Sequence, residues 1–377
     1  MDTKNDETII HLVQDLVRMK SDNPGEEESV VQLHLRDLLS EYGVQTDLVE
    51  TATGRLSLLA RIEGRRSGGG LMLAGHADVV PVSNEEFPAW RYAPYGGEIE
   101  NKKLFGRGSS DMKGGLAAGL LAFLDFFRNN VEPEVDLLFV STADEEDRMT
   151  GSRSLLDHPW LDSIDHALIM EPTDLKIATE GFGRTFGQVI CRGEKAHGAV
   201  SGVGHNAISI AMELLSRMNE IDLGLKIDAA ESFWQPLEIR AGVKPGIVPD
   251  RCDLVIDARI AYPADPEAVW SVLAELGKDL SIEITPEDLR RPWRAEPDDK
   301  LLSVLTNVCG KHDIAPTQMI FRGSTDGNIF LERGIAPIIF GPGSLALAHR
   351  ANEYVEIGAL KKAKAVYRDV IDQFALP

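Results

Sequence analysis

The sequence predicts an α/β protein with a mixed, largely parallel sheet, into which a smaller α+β domain is inserted. Three observations lead to this prediction. Apolar runs of strand length alternate with segments of helical periodicity through about Glu171. Between about Gly181 and Trp293 the pattern changes to the order β-α-β-β-α-β. The α/β alternation then resumes, so the larger domain should be discontinuous.

Length and composition are those of a two-domain globular protein. The chain has 377 residues, more than one average core holds, and 43% of them are hydrophobic. The 39 Lys and Arg residues against 60 Asp and Glu give a net charge of −21, which would repel nucleic acid and anionic membranes. The charged segment 1–7 and the absence of an apolar run of about 18 residues argue against a signal peptide and a membrane span. Three widely spaced cysteines argue against a disulfide framework. We therefore expect a cytoplasmic protein.

The first elements are two helices at residues 8–19 and 28–42, separated by the turn signal Asp22-Asn23-Pro24-Gly25. In the inserted domain we expect strands at 185–192, 236–243, 252–262 and 281–285, with helices at 206–218 and 266–280. This order is that of a ferredoxin-like split βαβ unit. The expected boundaries are 1–180 and 294–377 for the larger domain and 181–293 for the insertion.

Apolar runs of strand length repeatedly end in residues that can bind a metal. Residues 71–74 lead to His76 and Asp78, 137–140 to the acids at 144–147, 167–170 to Glu171, and 337–340 to His349. In an open α/β sheet, ligands bind outside the carboxyl ends of the strands. These side chains should therefore converge on one edge of the sheet.

A glycine-rich segment, 106–115, places the single carboxylate of Asp111 just before an apolar helix. The glycines allow the backbone to approach a ligand closely, and the segment matches neither nucleotide-binding fingerprint. An ordinary helix N-cap is the alternative role for Asp111. Likewise, the acids at 144–147 could form a solvated charge run, or could supply one metal ligand and one general base.

The candidate ligands are two imidazoles and three carboxylates: His76, His349, Asp111, Glu171 and one of the acids at 144–147. This nitrogen and oxygen ligand set suits zinc, with manganese or cobalt as weaker alternatives. Five ligands are too many for one tetrahedral ion. With one carboxylate bridging, they suit two ions about 3.5–4 Å apart. Because a metal-bound histidine usually donates its second ring N–H to a carboxylate, Asp78 is the expected partner of His76.

These segments resemble the zinc-dependent amidohydrolase and metallopeptidase family of acetylornithine deacetylase, succinyl-diaminopimelate desuccinylase, aminoacylase and glutamate carboxypeptidase-like enzymes. The resemblance covers nearly the whole chain. The motifs that carry it are Gly75-His76-Ala77-Asp78, residues 106–115, Asp144-Glu145-Glu146, Met170-Glu171-Pro172-Thr173 and Ala348-His349-Arg350-Ala351-Asn352-Glu353. The implied fold is a zinc-peptidase-like catalytic domain with an inserted lid or dimerisation domain.

The resemblance implies ligands for two zinc ions that share one carboxylate: His76 and Glu171 for one ion, Glu146 and His349 for the other, and Asp111 for both. It also implies Glu145 as the general base and Asp78 as the partner of His76. Glu171 stands where some peptidase members have Asp, which favours the deacylase branch.

The inserted domain carries further family features, Ala196-His197 and Gly204-His205-Asn206-Ala207. In this family the histidine reaches the active site of the partner subunit, which implies a homodimer and a catalytic role for His197. Candidate substrate-binding residues are Arg259, Arg184, Asn206 and Ser324. A solvent-facing strand residue is the alternative for Arg259, and a simple turn is the alternative for the segment 323–327 around Ser324.

The sequence thus predicts a dinuclear zinc hydrolase that cleaves the amide bond of a small N-acyl amino acid. A dipeptidase or carboxypeptidase of the same family is the alternative, because the same zinc chemistry serves both and pocket shape decides between them. A non-catalytic binding homologue is the alternative from another class.

Overall fold

The computed structural model describes residues 3–25, 27–200 and 204–376, with the backbone alone for residues 3–6. The chain divides into two compact units. The first unit comprises Met1–Thr179, Ala295–Phe321 and Thr325–Pro377, and the second comprises Glu180–Arg294 and Arg322–Ser324.

The amino-terminal part of the first unit alternates helices and strands. Its helices are α1 (Thr3–Arg18), α2 (Glu28–Glu41), α3 (Lys113–Phe127) and α4 (Thr150–Leu155). Its strands are β1 (Gln45–Glu50), β2 (Leu56–Ile62), β3 (Arg66–His76), β4 (Ile99–Glu100), β5 (Lys103–Phe105), β6 (Val135–Thr142), β7 (Ile164–Ile169) and β8 (Ile177–Gly181), whose last two residues belong to the second unit.

The second unit contains helices α5 (Ala207–Asn219), α6 (Leu223–Lys226) and α7 (Glu267–Leu276). Its strands are β9 (Gly183–Arg192), β10 (Ala196–His197), β11 (Phe233–Ala241), β12 (Ile247–Val248), β13 (Arg251–Ile260), β14 (Ile282–Arg290) and β15 (Trp293–Arg294). The carboxyl-terminal part of the first unit adds α8 (Lys300–Lys311), β16 (Gln318–Phe321), α9 (Asp326–Phe330), β17 (Ala336–Ile339), β18 (Tyr354–Glu356) and α10 (Ile357–Ala375).

The central sheet of the first unit has the strand order β1-β2-β6-β3-β7-β17-β8. Its inner strands β6, β3, β7 and β17 are parallel, whereas β1, β2 and β8 pair antiparallel at the flanks. The predicted fold class, a mixed sheet with a largely parallel centre, is therefore confirmed. Every residue of β6 is buried, as expected for a strand that is covered on both faces.

Helices α1, α3 and α10 bury their apolar faces in the main core with alternate residues of the sheet. In α10 the buried residues follow the three- and four-residue spacing of a helix face: Leu360, Ala363, Val366, Tyr367, Val370, Ile371, Phe374 and Ala375. Helix α3 approaches the end of β7 so closely that a Cβ at Gly115 would collide with the carbonyl oxygen of Met170. Glycine is thus required where the helix passes the strand end that leads to Glu171.

The second unit is built on an antiparallel sheet with the order β11-β13-β9-β14. In chain order these strands are 2-3-1-4, the arrangement of a ferredoxin-like unit. Helix α5 buries Ala211 and Leu214 in a core shared with Val189 and Leu254 of the sheet. A separate two-residue ribbon pairs β10 with β12 antiparallel.

Some element boundaries differ from those expected. Helix α7 ends at Leu276 rather than near residue 280, because Gly277 takes the C-cap position. Strand β14 continues to Arg290, well beyond residue 285, because its pairing with β9 extends from Ile282 opposite Cys191 to Arg290 opposite Arg184. The ribbon of β10 and β12 had no counterpart in the predicted elements. Among the described residues, no helix combines the length and the apolar character that a membrane span requires.

Candidate active site

The inner strands of the parallel sheet end level with one another. His76 lies opposite Thr142 in the ladder of β3 and β6, and Ile169 lies opposite Ile339 where β7 and β17 end. Because the loops leave from the same edge, they bring together the predicted site residues that follow these strands. Those residues are Glu145, Glu146, Glu171 and His349.

The imidazole of His76 lies among three carboxylates. Its Nε2 atom is 3.3 Å from Asp111 Oδ1, 3.6 Å from Glu171 Oε1 and 3.9 Å from Glu145 Oε2. The other ring nitrogen, Nδ1, lies 3.0 Å from the backbone carbonyl oxygen of Asp78, which can accept its proton. Nε2 therefore occupies a position that favours positive charge, either a proton or a metal ion.

The carboxylate of Asp111 lies between two imidazoles. Its Oδ1 faces His76, and its Oδ2 is 3.3 Å from His349 Nε2. The same His349 nitrogen is 3.0 Å from Glu146 Oε1. Asp111 is not a helix cap, because the N-cap residue of α3 is Met112 and no side chain caps that helix. The two oxygens of one carboxylate thus face two separate groups of ligand-type atoms.

Asp78 is completely buried and holds the loop that carries the two glutamates. Its Oδ1 accepts the N–H of Glu145 at 3.2 Å, and its Oδ2 accepts the N–H of Glu146 at 3.1 Å and the side-chain amide of Asn23 at 2.8 Å. His76 Nδ1 lies 3.6 Å from Asp78 Oδ1, farther than from the carbonyl oxygen. The short contact of Asp78 with the ring is thus made by its backbone, while its carboxylate positions the glutamate loop.

Asn23 belongs to a group of residues near the site that sequence analysis missed, since it was interpreted only as part of a turn. Besides Asp78, its amide donates to Asp144 Oδ1 at 3.0 Å, and its carbonyl oxygen accepts from Arg55 at 3.1 Å. Arg55 pairs with the buried Glu28, which accepts the backbone N–H of Asp144 at 3.2 Å. These contacts fix the start of the acidic loop.

The acidic loop is not a solvated charge run. Asp144 and Glu145 are buried, and only Asp147 of the four acids is exposed. His349 differs from the other site residues, because 48% of its side chain is exposed and its backbone φ is 59°. A left-handed conformation is unfavourable for a residue with a side chain, and such strain is typical of functional sites.

Burial dominates the electrostatics of the glutamates. It raises the pKa of Glu145 well above the ordinary value; the charge of His76 opposes this shift, and the charges of Asp326 and Glu146 reinforce it. Burial likewise raises the pKa of Glu171, helped by the charge of Asp111. Ionised neighbours in a buried place repel one another, and this repulsion opposes ionisation of both carboxyl groups.

The imidazoles are shifted in the direction that favours their charged form. Hydrogen bonds with Asp111 and Glu146 raise the pKa of His349 to about 10, against a smaller opposing effect of burial. Burial lowers the pKa of His76, but the bonds to Asp111 and Asp78 and the nearby glutamates raise it well above the ordinary value. Burial raises the pKa of Asp111, yet the two imidazoles lower it overall. The two rings thus favour the ionised form of the carboxylate between them.

Asp326 is a further residue whose place at the site the sequence did not specify. It lies in the segment 323–327, which was considered either substrate-facing or a simple turn, and it begins α9. Asp326 is 2% exposed, and Thr142 at the end of β6 donates a short hydrogen bond to its Oδ2. Its negative charge acts on Glu145, as the pKa of that residue shows.

The donor set fits divalent metal ions. Among the described residues, two sets of three side chains could each hold a metal ion. They are His76 with Glu145 and Glu171, and His76 with Asp111 and Glu146, and within each set the potential ligand atoms lie within 4.8 Å of one another. Imidazole nitrogen and carboxylate oxygen without thiolate are ligands that zinc, cobalt and manganese accept. Glu145, the expected general base, lies within the same 4.8 Å of His76 as the expected ligands in these sets do. Distances alone therefore do not distinguish a general base from a metal ligand here.

The remaining predicted residues belong to the second unit. His197 is exposed in β10, and its Nδ1 accepts the N–H of Ala199 at 3.2 Å. Asn206 is the N-cap of α5, accepting the N–H of Ile208 at 2.9 Å. The side-chain oxygen of Ser324 is buried without a hydrogen-bond partner among the described residues.

Arg184 and Arg259 lie opposite each other on β9 and β13. Both donate through Nε to the fully buried Asp257, at 2.5 Å and 3.1 Å. Burial lowers the pKa of Arg259, and the charge of Asp257 opposes this shift. Arg259 is thus a half-buried ion-pair residue rather than a solvent-facing strand residue.

A cluster of imidazoles and carboxylates at the carboxyl edge of a parallel sheet is the arrangement expected of a metal-dependent hydrolase. The profile of the peptidase family M20/M25/M40 matches residues 72–373, and the chain belongs to this family. The resemblance seen in the sequence and the predicted enzyme class, a metal-dependent amidohydrolase, are therefore confirmed.

Two relatives match this chain over most of its length. The chain is 27% identical, over an alignment 416 positions long, to a probable succinyl-diaminopimelate desuccinylase of Staphylococcus aureus, covering 99% of each chain. It is 28% identical over 347 residues to acetylornithine deacetylase of Myxococcus xanthus, covering 88% of this chain and 87% of the relative.

Two solved structures share the fold. An M20-family metallo-carboxypeptidase of Sulfolobus solfataricus is similar with a TM-score of 0.81 and 17% identity, over 97% of this chain and 99% of the other. A dinuclear metal-binding M20 peptidase of Bacillus subtilis is similar with a TM-score of 0.67 and 14% identity, over 98% of each chain.

Metal binding to the metal-free chain should release protons. At about pH 7.5 the imidazole of His349 holds a proton, because its pKa is raised to about 10, and a metal must displace that proton. Binding should therefore weaken as the pH falls. Calorimetric titration with zinc in buffers of different ionisation enthalpy should show at least about one proton released per chain.

Two variants provide the comparison for this titration. His349→Ala should release fewer protons than the wild type. His312 lies at the end of α8, where its imidazole pairs with Asp369 at 2.9 Å. His312→Ala should therefore release as many protons as the wild type. Tight zinc binding without proton release at about pH 7.5 would contradict the electrostatic description of the site.

Proposed function

We propose that the chain is a dinuclear zinc hydrolase that cleaves the amide bond of a small N-acyl amino acid, with Co²⁺ or Mn²⁺ as possible substitutes for zinc. The observation that carries this proposal is the position of Asp111, whose two carboxylate oxygens face His76 and His349 at 3.3 Å each. Two relatives matched over most of their length are named as a desuccinylase and a deacetylase, which supports an N-acyl substrate.

Distances support a division of the ligands between two ions. In this assignment His76 and Glu171 bind one ion, Glu146 and His349 bind the other, and Asp111 bridges both. His76 and Glu171 are 3.6 Å apart, and Glu146 and His349 are 3.0 Å apart. The dinuclear metal-binding peptidase of Bacillus subtilis, which shares this fold, supports two ions rather than one.

When bound, the two ions would supply Lewis acidity that activates water and polarises the scissile carbonyl. Glu145 then accepts the proton of the attacking water and delivers it to the leaving amine. Its raised pKa suits a group that must hold a proton between these steps. Asp78 positions Glu145, because its carboxylate holds the backbone N–H of that residue.

Substrate carboxylates are assigned to the arginines of the second unit. Arg259 and Arg184 each use Nε to bond Asp257, and a guanidinium has further N–H donors for a carboxylate. Asn206 and Ser324 are assigned to the acyl group. The buried oxygen of Ser324, which lacks a partner among the described residues, supports this assignment.

His197 of the partner subunit is assigned to the scissile carbonyl oxygen, in a cytoplasmic homodimer formed through the inserted domain. The edge strand β11 supports this contact, because Phe233, Leu237 and Ile239 on it are exposed. Edge strands with exposed apolar side chains are suited to pairing with another chain.

A substrate panel tests the reaction. With zinc bound, N-succinyl-diaminopimelate, N-acetylornithine or another N-acyl amino acid should be hydrolysed with kcat/KM at least about tenfold above any dipeptide, a difference near 1.4 kcal/mol. Faster hydrolysis of dipeptides would establish the peptidase alternative instead. Full activity after removal of all metal by a chelator would contradict the dinuclear proposal.

The two neighbouring glutamates should give different phenotypes. Glu145→Gln keeps the shape of the side chain but removes the base, so kcat should fall by at least about 10²-fold with metal content near normal. Glu146→Gln removes a ligand and should lose metal. Activity assays paired with metal analysis distinguish the two, and an exchange of phenotypes would reverse the assignment.

Mixed dimers test His197. The single variant His197→Ala should lose roughly 10²–10³-fold in kcat with unchanged zinc content, because an oxyanion donor acts mainly on the transition state. In a heterodimer of a Glu145→Gln chain and a His197→Ala chain, one site lacks both groups and the other is complete. Activity should therefore rise on subunit exchange, towards half the wild-type value. Verified heterodimers as inactive as both parents would refute donation across the interface.

A further inference from the structure

A buried ion pair lies directly behind the loop that carries Asp111. Arg107 Nη1 donates to Glu353 Oε2 at 2.9 Å, and the exposed fractions of the two side chains are only 1% and 0%. Both residues lie in the sequence motifs, but neither Arg107 nor Glu353 is a proposed metal ligand or catalytic group. A buried pair of this kind is weak evidence for stability, because desolvation offsets most of the attraction. A different role therefore has to account for it.

The second oxygen of Glu353 holds the backbone at the bridging residue. Glu353 Oε1 accepts the N–H of Ser110 at 2.9 Å and the N–H of Asp111 at 3.1 Å. Two successive amides bonded to one anion fix the direction of the chain at this point. The backbone from which the Asp111 carboxylate projects is thus defined by Glu353.

Glu353 also fixes the loop that carries His349. Its own carbonyl oxygen accepts the N–H of Gly106 at 2.9 Å, at the start of the Asp111 loop. Immediately after it, β18 pairs antiparallel with β5, with Tyr354 opposite Phe105. The loop containing His349 and the loop containing Asp111 are therefore joined at Glu353.

Arg107 is held in turn by the segment that precedes its own loop. Its Nη2 donates to both oxygens of Glu86, at 3.0 Å and 3.2 Å, and its guanidinium lies 5.4 Å from the centre of the Trp90 ring. The Asn352 side chain, next to Glu353, accepts the N–H of Arg91 at 2.6 Å and donates to the carbonyl of Ala89 at 2.9 Å. Three loops thus meet at one ion pair.

We propose that Glu353, oriented by Arg107, is a positioning residue that sets the bridging carboxylate of Asp111 and the imidazole of His349 at the separation needed for two metal ions. The inference rests on the proposed dinuclear function. Groups that orient metal ligands typically change metal affinity or activity by about 10–100-fold when they are replaced. Since Asp111 is shared by the two ions, loss of Glu353 should weaken both binding steps.

The test compares Glu353→Gln with a matched control, Asp136→Asn. Asp136 is also a buried carboxylate, paired with Arg61 at 2.8 Å and accepting the N–H of Gly64 at 2.7 Å, but it lies at the start of β6, away from the site. Glutamine would direct an N–H group at Arg107 or at the loop amides. Co²⁺ affinity is measured by calorimetry, and ligand geometry by the visible absorption of the Co²⁺-loaded chain.

In Glu353→Gln both Co²⁺ binding steps should weaken by about 10–100-fold and the absorption bands should shift. Asp136→Asn should change neither, even if it unfolds at lower temperature. Arg107→Lys keeps the positive charge but loses the two guanidinium nitrogens that bind Glu353 and Glu86. It should give a smaller loss of Co²⁺ affinity, and it replaces Glu353→Gln in the test if that variant does not fold. Wild-type affinity and spectrum in the Glu353 or Arg107 variants would overturn the inference alone. A wild-type chain that binds no metal would overturn the dinuclear function as well.

Discussion

Repulsion among the buried carboxylates of Asp111, Glu145, Glu146 and Glu171 is the constraint on which this site depends. Two unit charges about 4 Å apart repel by roughly 4 kcal/mol at an effective dielectric constant of 20. Burial adds to this cost, and the raised pKa values of Glu145 and Glu171 show its effect. Either protons or divalent cations must neutralise the group. A hydrolase needs some of these carboxylates ionised at neutral pH, and metal ions satisfy that need without protons.

Other buried carboxylates hold the loops that bear these side chains. They accept hydrogen bonds from the backbone N–H groups of the loops rather than from their side chains. Asp78 accepts the N–H groups of Glu145 and Glu146, and Glu353 accepts those of Ser110 and Asp111. Backbone contacts of this kind fix where a side chain projects and leave its carboxylate oxygens free for the proposed metal ions. Asp78 also adds negative charge beside the glutamate loop, whereas the charge of Glu353 is balanced by Arg107.

Much of this site could be predicted from the sequence because its residues follow apolar strands. A polar residue after each inner strand is a local signal, and strands that end level bring such residues together at one edge of the sheet. His76 after β3 and Glu171 after β7 are examples, and the family motifs added the expected roles. The sheet at the centre of the fold was predicted for the same reason, since alternation of apolar runs with helical segments is a local signal.

The supporting contacts could not be predicted, because they join distant positions with no local pattern. Glu353 meets Ser110 across 243 positions, and Asn23 meets Asp144 across 121. Asn23 was recognised only as a turn residue, because Asn before Pro is a common turn signal. The carbonyl of Asp78, rather than its carboxylate, lies nearest the His76 ring for a similar reason: spacing of two residues does not specify which oxygen is closer.

The central claim, that Asp111 bridges two metal ions, is tested most directly by anomalous X-ray diffraction from crystals of the zinc-loaded protein. The account predicts two zinc peaks about 3.5–4 Å apart, one beside His76 and Glu171 and the other beside Glu146 and His349, with one Asp111 oxygen on each. A single peak, or two peaks of which one is not bound by Asp111, would contradict it.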